Sequence, residues 1–328
     1  MTWRAFPKIE LHLHLEGAAP PRLIRDLSKE KSIDISKIFD PRGGYAFRDF
    51  AHFLKVYEAA TSTLTTPRDY HRLTKAVLDE LAENGVVYAE TFLSPDFCGG
   101  GDLFAWRDYL AEIEDAAIAA EKTHGVILKG IVTCIRHFGP DAAKPVALCA
   151  AETAGSFIRG FGMAGNESVG RAGDYTWAFD CAREAGLHIT SHAGEWGGPD
   201  SIRETLRDLN PERLGHGVGA IHDPALIDIL AEREIVLETC PGSNVALGIF
   251  PSFSAHPLAK LRDAGVKVTV STDDPPFFHT SMTREYEELA RAFRWTEEDF
   301  AELNRTALAA AFCDEPTRDT IRTRLEAP

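Results

Sequence analysis

Ile9-Glu10-Leu11-His12-Leu13-His14-Leu15 lies near the amino end of the 328-residue chain and has the alternating character of a β-strand. It is the first of eight short β-rich runs, which amphipathic helical patterns separate along most of the chain. Several runs are almost continuously apolar, as expected for parallel strands covered on both faces. The eight runs span residues 9–15, 86–93, 126–135, 157–163, 187–192, 213–215, 235–239 and 266–272.

The helical patterns between these runs carry signals for where each helix begins and ends. Thr66-Pro67-Arg68-Asp69 combines a capping residue, a proline at the first helical position and an acid three residues after the cap. Asn84-Gly85 predicts the end of that helix, and Asp223-Pro224 repeats the start signal. Eight strands with intervening helices favour an α/β fold of the (β/α)₈ TIM-barrel type. Periodicity alone leaves an open doubly wound sheet as an alternative.

Residues 1–328 are predicted to form one domain, because no linker rich in Pro, Gly or Ser and no block of charge divides them. Residues 16–84 separate the first two runs and are far longer than the usual connection of roughly 2–6 residues. We expect a helical insertion there, over the mouth of the barrel. A helical pattern that starts at Thr296 predicts a C-terminal extension that closes the barrel.

Composition argues against several classes of partner. The formal net charge is −15 and no basic stripe is present, which disfavours nucleic acid and anionic membranes as partners. Six scattered cysteines without a Cys-x-x-Cys pair are typical of reduced thiols. No apolar run approaches the ~20 residues of a membrane helix. We therefore expect a cytoplasmic protein that acts on a small molecule, and the sequence leaves open whether it forms a homo-oligomer.

Two imidazoles, His12 and His14, occupy the same face of the first predicted strand. Other polar clusters follow later strands, and the carboxyl ends of all barrel strands meet at one rim, where such barrels place their catalytic groups. Zn²⁺ accepts both imidazole nitrogen and carboxylate oxygen. We therefore predict one Zn²⁺ per chain, with His12, His14, His192 and Asp273 as its ligands.

The polar residues beside these ligands then acquire catalytic roles. Water bound to Zn²⁺ can ionise near neutral pH. Asp274 and His216 would flank that water and accept its proton, and Glu195 would face the substrate as general acid, since a closed pocket raises a carboxyl pKa. Three alternatives stay open. Glu195 could be a solvated loop carboxylate, His216 a hydrogen-bonding residue behind the site, and Asp274 a helix cap before Pro275.

Some absences narrow the chemistry. Residues 157–163 contain no lysine or histidine that could bridge two metals, so one metal is expected rather than two. No Pro-Cys-x-x-Cys motif is present, which excludes the zinc site of the cytidine-deaminase type. The chain also has no P-loop and no Gly-x-Gly-x-x-Gly after a strand, so nothing indicates a nucleotide cofactor.

At these motifs the chain resembles the adenosine deaminase family of metal-dependent hydrolase barrels. The resemblance follows the motifs in order through nearly the whole chain, and the combination is highly specific. The motifs are Pro7-Lys8-Ile9-Glu10-Leu11-His12-Leu13-His14, Leu93-Ser94-Pro95, Ala164-Gly165-Asn166-Glu167, Ser191-His192-Ala193-Gly194-Glu195, Arg213-Leu214-Gly215-His216-Gly217, Cys240-Pro241-Gly242-Ser243-Asn244 and Ser271-Thr272-Asp273-Asp274-Pro275.

The resemblance implies a purine substrate and a division of labour within the site. Glu195 would protonate the purine ring nitrogen beside the reacting carbon, His216 and Asp274 would orient the attacking water, and ammonia would leave. The backbone amide of Gly165 would bind another ring nitrogen, since a glycine allows that close approach. His14, Glu16 and Asp274 would also contact the substrate.

One position departs from the family pattern. Adenosine deaminases usually carry an aspartate after the His-x-His pair, at a position that contacts the ribose, whereas this chain has Glu16. Three motifs are closer to the nucleoside branch: Ala164-Gly165-Asn166-Glu167, Leu93-Ser94-Pro95 and Glu195-Trp196-Gly197-Gly198-Pro199. Deamination of adenosine and 2′-deoxyadenosine to inosine and 2′-deoxyinosine is therefore the expected reaction. Adenine, or a modified adenosine such as aminodeoxyfutalosine, is the alternative substrate. A hypothesis of another class is a catalytically silent barrel that only binds a nucleoside.

Overall fold

Eight parallel strands follow one another around the sheet in chain order in the computed structural model, which describes residues 2–326. Each strand begins and ends within two residues of a predicted run. The positions 1, 327 and 328 of the predicted single domain lie outside the described residues. The strands are β1 (Lys8–His14), β2 (Val86–Leu93), β3 (Ile127–Ile135), β4 (Ile158–Ala164), β5 (His188–Ala193), β6 (Arg213–His216), β7 (Val236–Thr239) and β8 (Lys267–Val270).

Helices alternate with these strands, and their ends agree with the signals in the sequence. The Thr66 hydroxyl and the Asp69 carboxylate form the predicted reciprocal cap, and the Asp223 side chain accepts the Leu226 N–H at 3.2 Å. The helices are α1 (Pro21–Lys31), α2 (Phe50–Thr61), α3 (Pro67–Glu83), α4 (Leu103–His124), α5 (Pro140–Glu152), α6 (Thr176–Glu184), α7 (Gly198–Asp208), α8 (Pro224–Glu232), α9 (Pro241–Ala246), α10 (Leu258–Asp263), α11 (Met282–Phe293), α12 (Glu297–Ala310) and α13 (Glu315–Leu325).

The sheet closes on itself where β1 meets the segment after β8. The His14 N–H donates to the Asp273 carbonyl at 3.0 Å, and the Asp273 N–H donates to the His12 carbonyl at 3.1 Å. These bonds confirm the barrel and exclude the open sheet. They also place three of the predicted metal ligands, His12, His14 and Asp273, where the barrel closes.

Buried charges fill part of the barrel interior beneath the rim. The Arg213 guanidinium lies 2.6 Å from carboxylate oxygens of both Glu90 and Glu238, and it stacks over the Phe312 ring at 3.5 Å. Buried ions need such partners, because an unpaired charge in the interior is costly. The network holds Glu238 in place, and the second oxygen of Glu238 reaches up to the rim.

The long segment between β1 and β2 contains α1, α2 and α3. Helix α3 packs against α4 and β2, as an outer-ring helix does. Helix α2 instead lies at the mouth of the barrel, where Phe53 contacts Phe277 and Phe278, with ring centroids 5.6 and 5.2 Å away. At the chain's other end, α12 packs on β1 and β8.

Two simple features accompany this fold. Across residues 2–326, no helix combines the length and the apolar character needed to cross a bilayer. All six cysteines are free thiols, in agreement with their scattered positions in the sequence.

Candidate active site

Four ligand-type side chains meet at the carboxyl-terminal rim of the barrel. His12, His14, His192 and Asp273 each contribute one nitrogen or oxygen atom, and these atoms all lie within 4.8 Å of one another. Asp273 Oδ1 is 3.5 Å from His12 Nε2 and 3.3 Å from His14 Nε2. The Nε2 atoms of His14 and His192 are 3.3 Å apart. The structure therefore brings together the four side chains that the sequence selects as metal ligands.

This cluster fits a divalent metal ion. His12 Nε2 is buried, and its contact with Asp273 Oδ1 is long for a hydrogen bond, at 3.5 Å. The Nδ1 atoms are occupied: His12 Nδ1 donates to Glu238 at 2.8 Å, and His192 Nδ1 donates to the Met163 carbonyl at 2.9 Å. Such partners turn the unprotonated Nε2 lone pairs inward, which is how proteins orient metal-binding histidines. An inward lone pair with no donor to meet it is what a metal ion would satisfy.

The charges around the cluster also favour a cation. Burial alone would raise the pKa of Asp273, but hydrogen bonds with His12 and His14 hold that pKa well below its usual range. Burial likewise opposes a charge on His12, yet its bonds with Asp273 and Glu238 raise its pKa to about 9. The same carboxylates that favour a proton on His12 would favour a metal ion there.

Backbone geometry at the rim suits this crowding. Asp273 and His216 have φ angles of +68° and +61°, which non-glycine residues seldom adopt and which cluster at functional sites. A Cβ on Gly215 would lie 2.9 Å from His12 Cε1 and 3.1 Å from the His192 ring. The glycine before His216 therefore makes room for two of the imidazoles.

Glu195 sits beside this cluster in a loop that Glu167 holds in shape. The Glu167 carboxylate accepts the Trp196 N–H at 2.7 Å and the Gly197 N–H at 2.9 Å, and it also accepts the Gly194 N–H and the Ser201 hydroxyl. Burial, and after it the charge of Asp273, raises the pKa of Glu195 well above its usual range. Its side chain is only 7% exposed, so Glu195 is not a solvated loop carboxylate, and burial favours its protonated form.

Asp274 and His216 complete the rim. Asp274 Oδ1 is buried without a partner, and a Cβ on Gly17 would lie only 1.5 Å from it. Burial, then the charges of Asp273 and Glu195, raises the pKa of Asp274 well above its usual range. Asp274 caps no helix, because the next one, α11, is capped by Ser281. His216 Nε2 faces Glu195 Oε1 at 3.8 Å.

A cavity of about 70 Å³ opens onto these groups. One wall is the rim with Glu195 and Asp274, and the opposite wall is apolar, from α2 residues such as Phe53 and Tyr57. Gly165 also lines the cavity with a φ of +96°, and a Cβ there would lie 2.6 Å from His137 Nδ1. The arrangement offers a flat ligand an apolar wall on one side and a proton donor on the other.

Glu16 has a different setting from the other predicted substrate contacts. Its Oε1 accepts the Tyr70 hydroxyl at 3.1 Å and the Cys98 thiol at 3.6 Å, and burial raises its pKa to about 7. Glu16 is not among the described residues that line the cavity. Its carboxyl group is engaged by the protein, behind the cavity wall.

Sequence reasoning assigned no role to three residues that support the site. They are Glu167, Glu238 and Ser243, whose hydroxyl donates to Asp273 Oδ2 at 2.7 Å. Two signals could have found them: Glu167 and Ser243 stand inside quoted motifs, and Glu238 is a charged residue within an apolar strand. Their partners, however, come from other strands and loops.

Comparisons with known proteins agree with this geometry. The family model described as adenosine deaminase matches residues 7–328. A curated relative named adenine deaminase, from Rhizobium rhizogenes, is 47% identical over 319 residues, covering 97% of this chain and 98% of the relative. The crystal structure of adenine deaminase from Arthrobacter aurescens superimposes with a TM-score of 0.89 at 28% identity, covering 98% of both chains. A zinc-bound amidohydrolase from Burkholderia ambifaria superimposes at 0.87 with 25% identity, covering 98% of this chain and 90% of that one.

The barrel and its rim of buried histidines and carboxylates are those of an amidohydrolase-type hydrolase. Within that class, the chain belongs to the adenosine deaminase family. It is accordingly a hydrolytic deaminase of that family.

The prediction of adenosine and 2′-deoxyadenosine as substrates is wrong, because the similar full-length relatives are named adenine deaminase. The motifs that favoured a nucleoside build the rim itself. Glu167 holds the Glu195 loop, and the Ser94 carbonyl accepts the N–H groups of Phe97 and Cys98 in a turn. Neither task depends on a sugar, so these motifs carry no information about one.

Proposed function

We propose that this protein hydrolyses adenine to hypoxanthine and ammonia. The observation that carries the proposal is that similar full-length relatives are named adenine deaminase, and the glutamate at position 16 of this chain supports it. Where the family's adenosine deaminases have an aspartate that contacts ribose, this chain has a longer side chain bonded to Tyr70 and Cys98. A carboxyl group that is bonded and buried in this way is not available to a sugar hydroxyl.

The shape of the cavity supports a small substrate. The cavity of about 70 Å³ is bounded by the rim on one side and by α2 on the other. Aromatic side chains of α2 form the wall opposite Glu195 and Asp274, which suits a planar base. A free purine base needs no further room for a ribose.

We assign the metal as Zn²⁺, held by His12, His14, His192 and Asp273. When bound there, it would lower the pKa of a water molecule and make that water a nucleophile at neutral pH. Imidazole nitrogen with one carboxylate oxygen is a donor set that zinc accepts. The supporting bonds from Glu238, Met163 and Ser243 would keep the ligands in place.

The chain's own residues would carry the proton transfers. Glu195 retains its proton because it is buried beside Asp273, and it would donate that proton to the ring nitrogen next to the amino-bearing carbon. The oxygen of water would bond to that carbon. One proton of the water would go to the amino group and the other would replace the proton that Glu195 gives, so that the carbon–amino bond breaks and ammonia leaves. Asp274 and His216 would flank the water, and the Gly165 backbone N–H would bind a second ring nitrogen.

Ammonia release tests this proposal. Purified, zinc-loaded protein is assayed in parallel with adenine, adenosine, 2′-deoxyadenosine and aminodeoxyfutalosine. We expect kcat/KM for adenine to exceed that for each of the other compounds by at least about 100-fold. Equal or faster turnover of any nucleoside would refute the assignment of adenine. Binding of adenine without ammonia release would refute the deaminase activity itself.

A further inference from the structure

A chain of buried hydrogen bonds leads away from His216 on the side remote from the cavity. His216 Nδ1 lies 3.3 Å from Asn244 Nδ2, Asn244 Oδ1 lies 3.0 Å from His256 Nε2, and the Leu258 backbone N–H donates to His256 Nδ1 at 3.2 Å. Asn244 comes from α9, His256 precedes α10, and Leu258 is the first residue of α10. The chain of bonds joins a catalytic candidate to the backbone of a helix end.

The direction of every hydrogen bond in this chain follows from its last member, the Leu258 N–H. A backbone N–H can only donate, so His256 Nδ1 accepts and the proton of a neutral His256 is on Nε2. That proton is donated to Asn244 Oδ1, which leaves the Asn244 amide N–H to donate to His216 Nδ1. His216 Nδ1 is therefore unprotonated, and the proton of the neutral ring is on Nε2, the atom that faces Glu195 and Asp273.

Asn244 and His256 are polar residues whose burial costs free energy. Both are buried, and the His256 ring packs edge-on against Phe250 with ring centroids 5.1 Å apart. Burial also lowers the pKa of His256 to about 3, so the ring is neutral at physiological pH. Neither side chain is among the described residues that line the cavity, and His216 is the rim residue to which Asn244 is hydrogen-bonded.

We propose that Asn244 and His256 are positioning residues that hold His216 as the tautomer with its proton on Nε2. The inference rests on the proposed function, because it refines the role of His216 in that reaction. A His216 Nε2–H can donate a hydrogen bond to the oxygen of the attacking water, but it cannot take a proton from that water. A proton of the water then passes to Asp274, which also flanks the water, and a divalent cation bound beside Asp274 would favour the charged form that accepts it.

Asn244→Asp tests this chain of hydrogen bonds, called the relay below. The substitution keeps the shape of the side chain and removes the N–H donor that faces His216. A carboxylate offers only acceptors, so His216 must place a proton on Nδ1 to keep the bond. Zinc-loaded protein labelled with ¹⁵N-histidine is compared with the variant by NMR, and the His216 signals are identified by their loss in His216→Gln. We expect a proton on Nε2 alone in the wild type and a proton on Nδ1 in Asn244→Asp. A protonated Nδ1 in the wild type, or an unprotonated one in the variant, overturns the proposal.

A matched pair at His256 gives a second test that does not depend on the first variant folding. His256→Gln retains a terminal N–H that can donate to Asn244, whereas His256→Phe retains the ring shape and removes the donor. We expect His256→Phe to lower kcat for adenine by about 10–100-fold with little change in KM, and His256→Gln to stay within about 3-fold of wild type. Equal kcat values for the two variants would overturn the relay.

The NMR measurement separates this inference from the proposed function. It is made without substrate, so it reports the His216 tautomer whichever purine the enzyme deaminates. Failure of adenine turnover with the expected tautomer would count against the substrate alone. Adenine turnover with the other tautomer would count against the relay alone.

Discussion

Two walls of the same cavity differ in how they are built. The rim wall consists of strand ends, where Asp273 is hydrogen-bonded through its backbone to β1 and through its carboxylate to Ser243. The opposite wall is α2, a helix from the long segment after β1, which contributes apolar rings such as Phe53. The rim is buried and tightly bonded, whereas α2 packs through side chains alone at the positions that face the cavity, and its Phe50 is only half-buried.

This difference separates chemistry from substrate choice. The rim holds the groups that would bind metal and move protons in the proposed function, and their positions follow from the barrel. We propose that which purine fits depends on the space between the rim and the inserted segment, and on Glu16, which is bonded to Tyr70 of that segment. Motifs of the rim therefore predict the reaction well and the substrate poorly, which is why adenosine was the wrong expectation.

The largest effect should come from removing one of the candidate metal ligands of the rim. Asp273→Ala removes one ligand-type carboxylate and the partner of His12 and His14. We expect the bound zinc per chain to fall below half and kcat/KM for adenine to fall by more than roughly 10³-fold. Metal content is measured by elemental analysis after dialysis. Asp274→Ala, one residue later, is the matched control and should retain its zinc; full zinc in Asp273→Ala would remove that residue from the ligand set.

Glu195→Gln should separate the two tasks proposed for the rim, which are metal binding and proton transfer. The amide keeps the size of the side chain but has no acidic proton, so zinc content should stay normal while kcat falls by roughly 10²–10⁴-fold. Steady-state ammonia release and elemental analysis on the same sample check both expectations. Activity near that of the wild type would show that another group protonates the purine.

Glu16→Asp tests whether the choice between adenine and adenosine depends on position 16. Shortening the side chain by one methylene should weaken its bonds with Tyr70 and Cys98 and free the carboxyl group for a sugar hydroxyl. We expect the ratio of kcat/KM for adenine to that for adenosine to fall by about 10-fold, within the roughly 1–3 kcal/mol that one methylene contributes. Tyr70→Phe is the control for lost packing. An unchanged ratio would place substrate choice elsewhere, with α2 as the next region to alter.

The smallest effect should appear beneath the rim, at Glu285. Burial raises the pKa of this carboxyl to about 8, and its oxygens bond to the Gly242 N–H and the Thr280 hydroxyl. The unfolded chain releases that proton near the ordinary value of about 4.5, so the stabilisation is complete below that pH and is lost as pH rises through about 8.

Glu285→Gln imitates the protonated acid and should remove this dependence. At pH 5 the two proteins should melt at similar temperatures, and at pH 8.5 the variant should be more stable by about 1–3 kcal/mol, or a few degrees in Tm. Thermal melts at both values measure the difference. A gap in Tm that is the same at pH 5 and pH 8.5 would show that Glu285 does not titrate on unfolding.

Much of the fold could be predicted because its signals are local. Apolar runs placed the eight strands, and Thr66 and Asp223 marked helix starts, since caps and periodicity act within a few residues. The metal-ligand candidates could be selected for a related reason. His12, His14 and His192 lie within the last three residues of their strands, and Asp273 follows β8 by three residues. Parallel strands in a barrel bring those ends to one rim.

The sequence by itself thus determined the order of strands and helices and the kind of chemistry at their ends. Only the tertiary structure decided which side chains support that chemistry: Glu238 behind His12, Glu167 under the Glu195 loop, and Asn244 between two histidines. It also decided that Glu16 bonds to Tyr70, 54 positions away. These partners lie far apart along the chain, and a hydrogen bond between them depends on how whole elements pack, which no local pattern of residues encodes.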